Sequence, residues 1–247
     1  MIAVTILSKN SSETIAATLD ACKSFPEVVL FDTGSTDDTL KIAQRYPNVK
    51  IVEEKFQGFG HAHNRAVEQA SSDWILSIDS DEVLSPELVK EIQTLSLDPR
   101  KVFSLSRSNY FRGKWIRCCA GWYPDPVVRL YHRKTTRFSD DHVHEKVLAQ
   151  GMTVIPLKGK LSHTPYRSIE GFLAKMQAYS TLFAEQHAGK KKSSLGIAIL
   201  HAVTAFLKSY FLKWGFLGGK EGFIISLYNA HGTYYKYLKL AWRNNSL

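Results

Sequence analysis

The chain has 247 residues, of which 44% are hydrophobic and 22% are charged, and its formal net charge is +9. This composition is globular and excludes a disordered chain, and the length allows one large domain or one domain with an appendage. The positive charge is concentrated in residues 158–247, which hold 13 Lys and Arg against 3 Asp and Glu. Such a region favours nucleic acid, anionic lipid or an anionic acceptor as partner.

The amino terminus and the cysteines favour a cytoplasmic protein. The sequence opens on a strand-like segment, residues 2–7, with no secretory signal before it. Cys22, Cys118 and Cys119 have neither metal-binding nor disulfide spacing, so we expect reduced thiols, with Cys22 in the core. The longest uncharged run near the C-terminus, residues 193–207, is shorter than the roughly 20 apolar residues that span a membrane, and we therefore expect no transmembrane helix.

The first hundred residues alternate strand-like and helix-like segments. Strands are predicted at residues 2–7, 28–32, 49–52 and 74–78, and the apolar run at 74–78 is typical of a buried strand of a parallel sheet. Helix starts follow each of them, and the clearest is Ser85-Pro86, an N-cap residue followed by proline at the first helical position. This alternation predicts an α/β fold with a mostly parallel sheet and helices on both faces.

The pattern changes after about residue 100. Further strands, in antiparallel or mixed sheet, are predicted at residues 102–107, 126–131 and 143–148, and residues 113–125 are predicted to form a long loop. From residue 168 the apolar spacing is helical. We therefore predict a domain over residues 1–165 and a basic helical extension over residues 166–247. The extension would pack on the domain, join a homo-oligomer or lie on an anionic membrane face.

Three acids follow the fourth predicted strand: Asp79, Asp81 and Glu82. Open α/β sheets bind ligands at the carboxyl ends of their strands, so these acids lie where a ligand is expected. Crowded carboxylates repel one another, and oxygen ligands suit a hard cation, Mg²⁺ or Mn²⁺, which also binds substrate phosphates. The alternative is a solvated acidic turn that caps the next helix.

Four short motifs occur in order within about 80 residues, and they lie at residues 7–10, 32–37, 60–66 and 79–81. Together they resemble the family 2 glycosyltransferases of the GT-A fold, with the Asp-x-Asp motif last. Residues 121–130, 143–145 and 211–216 extend the resemblance to bacterial lipopolysaccharide-core β-glucosyltransferases. Thr33 stands where a second acid is often found, and the Gln-x-x-Arg-Trp motif of processive members is absent from the sequence, which favours single-sugar transfer.

The resemblance implies a Rossmann-like domain with a nucleotide-binding half over residues 1–100 and an acceptor half over residues 101–165. The donor would be a UDP-sugar. Asp32 would accept a hydrogen bond from uracil N3–H, and Leu7 and Ser8 would line the nucleotide pocket. Arg65 would contact the uracil or the diphosphate; the alternative for Arg65 is an ion pair on the helix face.

The resemblance also implies contacts between the Asp-x-Asp motif and the nucleotide-sugar donor. Asp79 would face the ribose or, through water, the metal, and Ser80 belongs to the same nucleotide-sugar-binding set. Asp81 would bind the metal directly. His163, or alternatively His144, would supply a nitrogen ligand. The metal would act as a Lewis acid that neutralises the departing diphosphate.

An inverting transfer is a single displacement, which needs one carboxylate to take the proton of the acceptor hydroxyl. We predict Glu145 as this base, because the resemblance places the base in the Val-His-Glu segment. Asp140 and Asp141 are the alternatives. A group that could clamp the acceptor or a phosphate consists of Asp125, Arg129 and Arg133.

The sequence therefore predicts a metal-dependent inverting transferase that moves one hexose, glucose from UDP-glucose, onto an inner-core sugar of lipopolysaccharide. It would work in the cytoplasm, peripherally at the inner face of the cytoplasmic membrane. One alternative is transfer to another glycan or to a protein. Another is a non-catalytic basic module that binds nucleotides or nucleic acid, but it leaves Asp79, Asp81 and Glu145 without a role and lacks RNA-binding signatures, so we expect no nucleic-acid partner.

Overall fold

The computed structural model describes residues 1–141, 145–166 and 168–246. The chain divides into two compact units, each built from two segments. Unit 1 comprises Met1–Arg107 and Pro126–His163, and unit 2 comprises Ser108–Asp125 and Thr164–Leu247. The predicted boundary near residue 165 lies beside the change of unit at residue 164, whereas the segment 108–125 is grouped with the C-terminal helices.

The described residues form nine strands. They are β1 (Ile2–Ser8), β2 (Glu27–Asp32), β3 (Val49–Glu53), β4 (Trp74–Asp79), β5 (Glu82–Leu84), β6 (Lys101–Phe111), β7 (Lys114–Trp115), β8 (Pro126–His132) and β9 (Thr153–His163). The order across the sheet is β3-β2-β1-β4-β8-β6-β9-β5, and β7 pairs with the end of β6. The predicted α/β class is confirmed, and the sheet is mixed.

The parallel part of the sheet brings three strand ends to one edge. β1 pairs in parallel with β2 and with β4, and β2 pairs in parallel with β3. The register places Ser8 opposite Asp32 and Leu7 opposite Asp79. Side chains that are distant in sequence therefore meet where the three strands end.

Four helices cover the sheet of unit 1: α1 (Ile15–Ala21), α2 (Thr39–Ala43), α3 (Phe59–Glu68) and α4 (Pro86–Gln93). Alternate strand residues are buried on opposite faces: Leu76 belongs to the cluster that contains Leu19 and Leu88, whereas Ile75 belongs to the cluster that contains Val67. The Ser85 hydroxyl accepts a hydrogen bond from the Leu88 N–H, which confirms the predicted N-cap of α4.

The later strands are partly as predicted. β6 and β8 occur where expected, and β8 is antiparallel to both β4 and β6. β5 and β9 were not predicted, because β5 has only three residues and β9 carries Pro156, Gly159 and exposed lysines. Within the predicted strand 143–148, residues 143 and 144 lie outside the described part of the chain. Among residues 145–148, Val147 makes an isolated bridge to Phe138, so the predicted strand is wrong for the described positions.

Unit 2 contains three long helices and two short helical turns. They are α5 (Ile169–His187), α6 (Leu195–Leu207), a π-helical turn (Lys208–Leu212), a 3₁₀ turn (Gly215–Gly218) and α7 (Gly219–Arg243). α5 and α6 both pack on α7. The predicted loop 113–125 is largely packed: Ile116, Cys119 and Trp122 are buried with Phe172 and Ile225 in the core of this unit.

The exclusion of a membrane span on length needs correction. Lys208 does not end the helix, because the chain continues as the π-helical turn to Leu212. The resulting 18-residue stretch, Leu195–Leu212, is long and apolar enough to cross a membrane by length and composition, and only 11% of it is buried. Within the described residues it is the one helix that meets these criteria.

Candidate functional site

The shared edge of β1, β2 and β4 carries the first predicted site residues. Leu7 is half-buried and Ser8 is buried at the end of β1. The Ser8 carbonyl accepts hydrogen bonds from the Thr33 N–H at 2.9 Å and the Thr33 hydroxyl at 3.1 Å. The buried Ser8 Oγ has no hydrogen-bond partner among the described residues, which leaves one polar atom at this edge for a ligand.

Asp32 organises the turn that follows β2. It is fully buried; Oδ1 accepts hydrogen bonds from the N–H groups of Gly34 at 2.9 Å and Ser35 at 2.7 Å, and Oδ2 accepts from the Ser35 hydroxyl at 2.5 Å. Charge-assisted bonds of this kind fix the loop. Oδ1 has both lone pairs engaged, whereas Oδ2 accepts one hydrogen bond and keeps a second lone pair, so the predicted hydrogen bond from uracil remains compatible with this geometry at Oδ2.

Asp79 is part of a charge network. Its Oδ2 accepts a hydrogen bond from Arg129 at 2.6 Å, and its N–H donates to Glu82 at 2.9 Å. Glu82 Oε1 in turn accepts from Arg129 at 3.1 Å and from Arg107 at 3.2 Å. Arg129 and Glu82 are buried, so these charges compensate one another away from water.

The pairing controls protonation in this network. Burial raises the pKa of Asp79, but the nearby positive charge, above all that of Arg129, outweighs it, so the net shift is downward. Burial lowers the pKa of Arg129, yet Asp79 and Glu82 outweigh it and the net pKa is raised. Both groups are therefore held in their charged forms.

Asp81 and His163 come together through the pairing of β5 with β9. Glu82 lies opposite His163 in this antiparallel pair, and Asp81 directly precedes β5. The Asp81 Oδ2 to His163 Nε2 distance is 3.5 Å, with His163 buried and Asp81 half-buried. The predicted metal ligands are thus adjacent, at a separation that a bound cation could bridge.

Glu145 lies beside a buried histidine that the sequence did not single out. His63 of α3 is buried; its Nδ1 is 3.0 Å from Ser77 Oγ of β4, and its ring stacks on Phe138 with centroids 4.1 Å apart. Its Nε2 lies 3.7 Å from Glu145 Oε1 and makes no hydrogen bond within the described residues. If Ser77 donates to Nδ1, then Nε2 carries the proton and faces the carboxylate.

The alternative bases are placed differently. Asp140 forms a bidentate ion pair with Arg137, at 2.5 and 2.8 Å, and its side chain is 70% exposed. Arg137 lowers the pKa of Asp140. Asp141 is exposed and accepts a hydrogen bond from the Ser139 hydroxyl at 2.8 Å. Both aspartates are therefore exposed and bound by neighbouring side chains, unlike the half-buried Glu145, and His144 lies outside the described residues.

A glycine fixes the loop that carries these aspartates. The Gly60 N–H donates to the Asp141 carbonyl at 3.2 Å. A Cβ at this position would lie 1.9 Å from the Ser139 carbonyl oxygen, so only glycine allows this close approach to α3.

Two predicted arginines are held by other groups. Arg65 forms ion pairs with Glu54, at 2.8 Å, and with Glu68. Because the Glu54 N–H donates to the Asp32 carbonyl, this pair lies next to the end of β2. This ion pair is the alternative that the sequence predicted for Arg65. A contact between Arg65 and uracil would compete with the ion pair.

Arg133 is held by groups at the other end of β4. It binds Asp73 at 3.1 Å and the carbonyls of Val67 and Ala70 at 3.2 and 2.7 Å. Asp73 precedes the first residue of β4, so Arg133 lies at the opposite end of that strand from Asp79. Its role as a clamp on the acceptor or a phosphate stays a prediction.

The other predicted clamp and donor residues have structural partners. Arg129 is bound within the charge network, and its role as a clamp on the acceptor or a phosphate stays a prediction. Asp125 belongs to unit 2 and accepts a hydrogen bond from Asn109 at 2.9 Å. The Ser80 hydroxyl is 2.7 Å from the Ser11 hydroxyl, and the Ser80 carbonyl accepts from Thr18 at 3.0 Å, so Ser80 ties the Asp-x-Asp turn to α1.

A cavity of about 640 Å³ has a lining that includes Asp140 but not Asp32, Asp79, Asp81 or Glu145. Its lining consists of His61, Asn64, Arg65, Val67, Glu68, Tyr131, Arg133, Lys134, Thr136, Arg137 and Asp140. Each of its four Lys and Arg residues is ion-paired with an Asp or Glu. We therefore do not take this cavity as the site of a charged donor.

The metal prediction can be tested against the donor set. The described residues contain no group of three or more His, Cys, Asp or Glu able to hold a metal ion. Asp79 is engaged by Arg129, which leaves Asp81 and His163 as protein ligands. Two protein ligands fit a cation that takes its remaining ligands from a diphosphate and water.

A mixed α/β sheet whose parallel strand ends collect a capped acidic turn, an Asp-x-Asp motif and a nearby carboxylate defines a nucleotide-sugar transferase of the GT-A type. Residues 3–148 match the domain described as Glycosyl transferase family 2. The chain therefore belongs to glycosyltransferase family 2, and it is a transferase.

Two curated relatives resemble most of the chain. An uncharacterized glycosyltransferase of Rickettsia prowazekii is 29% identical over 251 residues, covering 95% of this chain and 85% of the relative. The lipopolysaccharide core biosynthesis glycosyltransferase LpsC of Rhizobium meliloti is 27% identical over 240 residues, covering 91% of this chain and 86% of LpsC.

Two solved structures share the fold. TarS 1-349 of S. aureus, in complex with UDP-GlcNAc, is 16% identical with a TM-score of 0.52 over 99% of this chain and 92% of that one. The mannosyltransferase PcManGT of Pyrobaculum calidifontis, in complex with GDP-Man and Mn²⁺, is 17% identical with a TM-score of 0.52 over 99% of this chain and 86% of that one. At these identities the likeness establishes the fold alone.

Proposed function

We propose that this family 2 glycosyltransferase is an inverting, metal-dependent enzyme that moves one hexose from a UDP-sugar onto an inner-core sugar of lipopolysaccharide. The observation that carries the proposal is the convergence of Asp79, Asp81, His163 and Glu145 near the carboxyl end of β4. Lipopolysaccharide as acceptor and glucose as the hexose rest on the sequence resemblance, and LpsC supports the acceptor class.

The donor nucleotide would bind at the edge formed by β1, β2 and β4. The buried Asp32 carboxylate holds its turn rigid, so its remaining lone pair can accept the N3–H of a uracil with little reorganisation. The unsatisfied Ser8 hydroxyl offers a further contact. The related fold of TarS holds UDP-GlcNAc, whereas that of PcManGT holds GDP-Man, so the uracil preference must be measured for this chain.

Asp81 and His163 would hold the divalent cation. A carboxylate oxygen and an imidazole nitrogen suit Mn²⁺ better than Mg²⁺, which takes mainly oxygen ligands. When bound, the cation would supply positive charge to the departing diphosphate. Asp79 would keep its charge through Arg129 and would orient the ribose side of the donor.

Glu145 would take the proton of the acceptor hydroxyl as that oxygen attacks the anomeric carbon. The bond from the anomeric carbon to the diphosphate breaks in the same displacement, which inverts the configuration. His63 would orient Glu145 through the Nε2 that faces it, and Ser77 and Phe138 hold the imidazole in place.

The cellular location of the acceptor would determine where the enzyme works. Lipopolysaccharide core sugars are carried on a lipid, so we propose a cytoplasmic enzyme that binds peripherally to the membrane. The excess of Lys and Arg after residue 158 supports an anionic surface as partner. Homo-oligomerisation through the C-terminal helices is the alternative use of the same region.

Metal-dependent nucleotide binding tests the proposal directly. The wild type should bind UDP with Mn²⁺ more tightly than with chelator, and Asp81→Ala should lose this metal dependence. Asp140→Ala is the matched control, because Asp140 is an exposed acid paired only with Arg137. Calorimetry of UDP and ADP, beside hydrolysis of a panel of nucleotide sugars, provides the measurement. Unchanged UDP affinity of Asp81→Ala with Mn²⁺ would contradict the metal assignment, and equal UDP and ADP affinities would contradict uracil recognition.

A further inference from the structure

The solvent-facing side of α6 and the π-helical turn is apolar. Leu195, Ile199, Val203, Leu207 and Phe211 recur every four residues, so they form one stripe along the helix. Each of these side chains is between 45% and 52% exposed. The exposed face of a helix in a water-soluble protein is normally polar, so this helix has the reverse arrangement.

The stripe continues beyond the helix. Leu212, Trp214 and Leu217, in and around the two short turns, are each between 61% and 74% exposed. Together with the five residues of the stripe they form what we call the apolar face. A continuous exposed patch of large apolar side chains marks an interaction surface rather than ordinary surface variation.

The opposite side of α6 is committed to α7. Ala198 is fully buried, the His201 ring stacks on Tyr237 with centroids 4.0 Å apart, and the Ser193 hydroxyl donates to the Tyr237 carbonyl at 2.7 Å. α7 also carries charged side chains, among them Lys236 and Lys239. If α6 crossed a bilayer, it would draw these charges into the hydrocarbon, which is unfavourable. Only the apolar face is free to enter an apolar phase.

The segment that carries the apolar face has charge of one sign. Residues 188–220 contain six lysines and neither Asp nor Glu, and Glu221, which follows directly, is paired with Lys114. In a symmetric dimer through this face the same patch would meet itself, so lysines would face lysines without an acid to compensate them. An anionic membrane offers both the apolar phase and the opposite charge. The exposed Trp214 suits the boundary between headgroups and acyl chains, where tryptophan is enriched.

We propose that the apolar face inserts in the plane of an anionic membrane, to the depth of the boundary between headgroups and acyl chains, with the surrounding lysines on the headgroups. This inference rests on the proposed function, which includes peripheral membrane binding. It adds which face of the protein contacts the membrane and that this face inserts into it. Vesicle binding needs neither donor nor acceptor, so its outcome is independent of the test on Asp81.

The test uses the full-length protein and vesicles of phosphatidylglycerol with phosphatidylethanolamine, and neutral phosphatidylcholine vesicles for comparison. The triple variant Ile199→Gln, Val203→Gln, Leu207→Gln should lose anionic-vesicle affinity by about tenfold or more in co-sedimentation. The matched control is Ile169→Gln with Leu173→Gln on α5, which are equally exposed at 52% and 48%. The control should bind as the wild type does, and circular dichroism should be unchanged in both.

Further experiments distinguish insertion of the apolar face from oligomerisation and from a membrane-spanning helix. Lys208→Gln, Lys213→Gln, Lys220→Gln should weaken binding to anionic vesicles, and brominated acyl chains should quench tryptophan emission of the wild type but less that of Trp214→Phe. Vesicle binding by the stripe variant equal to that of the wild type overturns the proposal. The proposal is also overturned if the stripe variant differs from the wild type only in its oligomeric state, measured by analytical ultracentrifugation. Wild-type protein that only detergent, and not alkaline carbonate, releases from membranes would show a spanning helix and also overturn it.

Discussion

The two units depart from the usual distribution of polar and apolar residues in opposite ways. Unit 1 buries ionised side chains: Asp32, Glu82 and Arg129 are all at most 6% exposed. Among the described residues of unit 2 no Asp, Glu, Lys or Arg is buried. This unit instead holds most of the large apolar side chains that are exposed among the described residues. Each departure costs free energy in isolation.

The comparison shows which departure is compensated within the protein. In unit 1 every buried charge has a partner, either an opposite charge or several hydrogen-bond donors. In unit 2 the exposed apolar side chains of α6 have no covering element among the described residues. A feature that is satisfied internally serves chemistry within the fold, whereas a feature that is not satisfied internally requires an external partner.

The largest effect is expected where a charge in unit 1 has a chemical task. Glu145→Gln keeps the shape of the side chain but removes its ability to take a proton, so turnover should fall by about 10²–10⁴-fold while UDP affinity is retained. Steady-state kinetics beside calorimetry provide the measurement.

Asp140→Asn and Asp141→Asn are the controls for Glu145, since both aspartates lie in the same loop region but are exposed. Loss of turnover in one of them, with an active Glu145→Gln, would transfer the role of base to that aspartate. His63→Phe keeps the stacking on Phe138 and removes Nε2, so it should lower turnover without lowering UDP affinity.

Breaking the charge compensation of unit 1 should destabilise it. Arg129→Met removes the ion-pair partner of the half-buried Asp79 and leaves the buried Glu82 with Arg107 alone, which should lower the free energy of unfolding by at most about 3–5 kcal/mol. Chemical denaturation measures this change. The double variant with Glu82→Gln should recover part of the loss, and a double variant no more stable than Arg129→Met would show that the network is not electrostatically coupled.

A smaller effect is expected at the nucleotide edge. Asp32→Ala should weaken UDP binding by about 1–3 kcal/mol and more than Asp32→Asn, because the amide keeps an acceptor oxygen for the turn. Arg65→Gln is the comparison on the same edge, and its ion pairs predict a change of no more than about fivefold. If Arg65→Gln weakens UDP binding more than Asp32→Ala does, Arg65 is the nucleotide contact.

The parallel half of the sheet could be predicted because its signals are local. Each buried strand there is a continuous apolar run, and Ser85-Pro86 marks the start of α4 within two residues. The positions of Asp32, Asp79 and Asp81 follow from the rule that strand ends share an edge, so these parts of the candidate site could be placed from the sequence.

The remaining parts depend on long-range contacts that leave no local signal. The role of Glu82 as a buried partner of Arg107 and Arg129 could not be separated from a solvated acidic turn, because its partners come from β6 and β8. His63 falls within a recognisable helix motif, but its position beside Glu145 depends on a loop 80 residues away in sequence. The membrane-facing alternative for the C-terminal helices was open from the sequence, but it could not be separated from core packing, because exposure, and not composition, distinguishes the apolar face from a core helix.

The pairing of β5 with β9 can form only after nearly all of unit 1 has been synthesised, because β9 ends that unit. By the time Asp81 leaves the ribosome, the strands of the nucleotide edge have all been made, but His163 is the last residue of unit 1. A slip of one residue would put Ser162 opposite Glu82 and turn His163 to the other side of the sheet. The Asp81–His163 pair therefore exists only in a finished and correctly aligned unit, so a nascent or misaligned chain forms the edge of β1, β2 and β4 without the proposed second metal ligand.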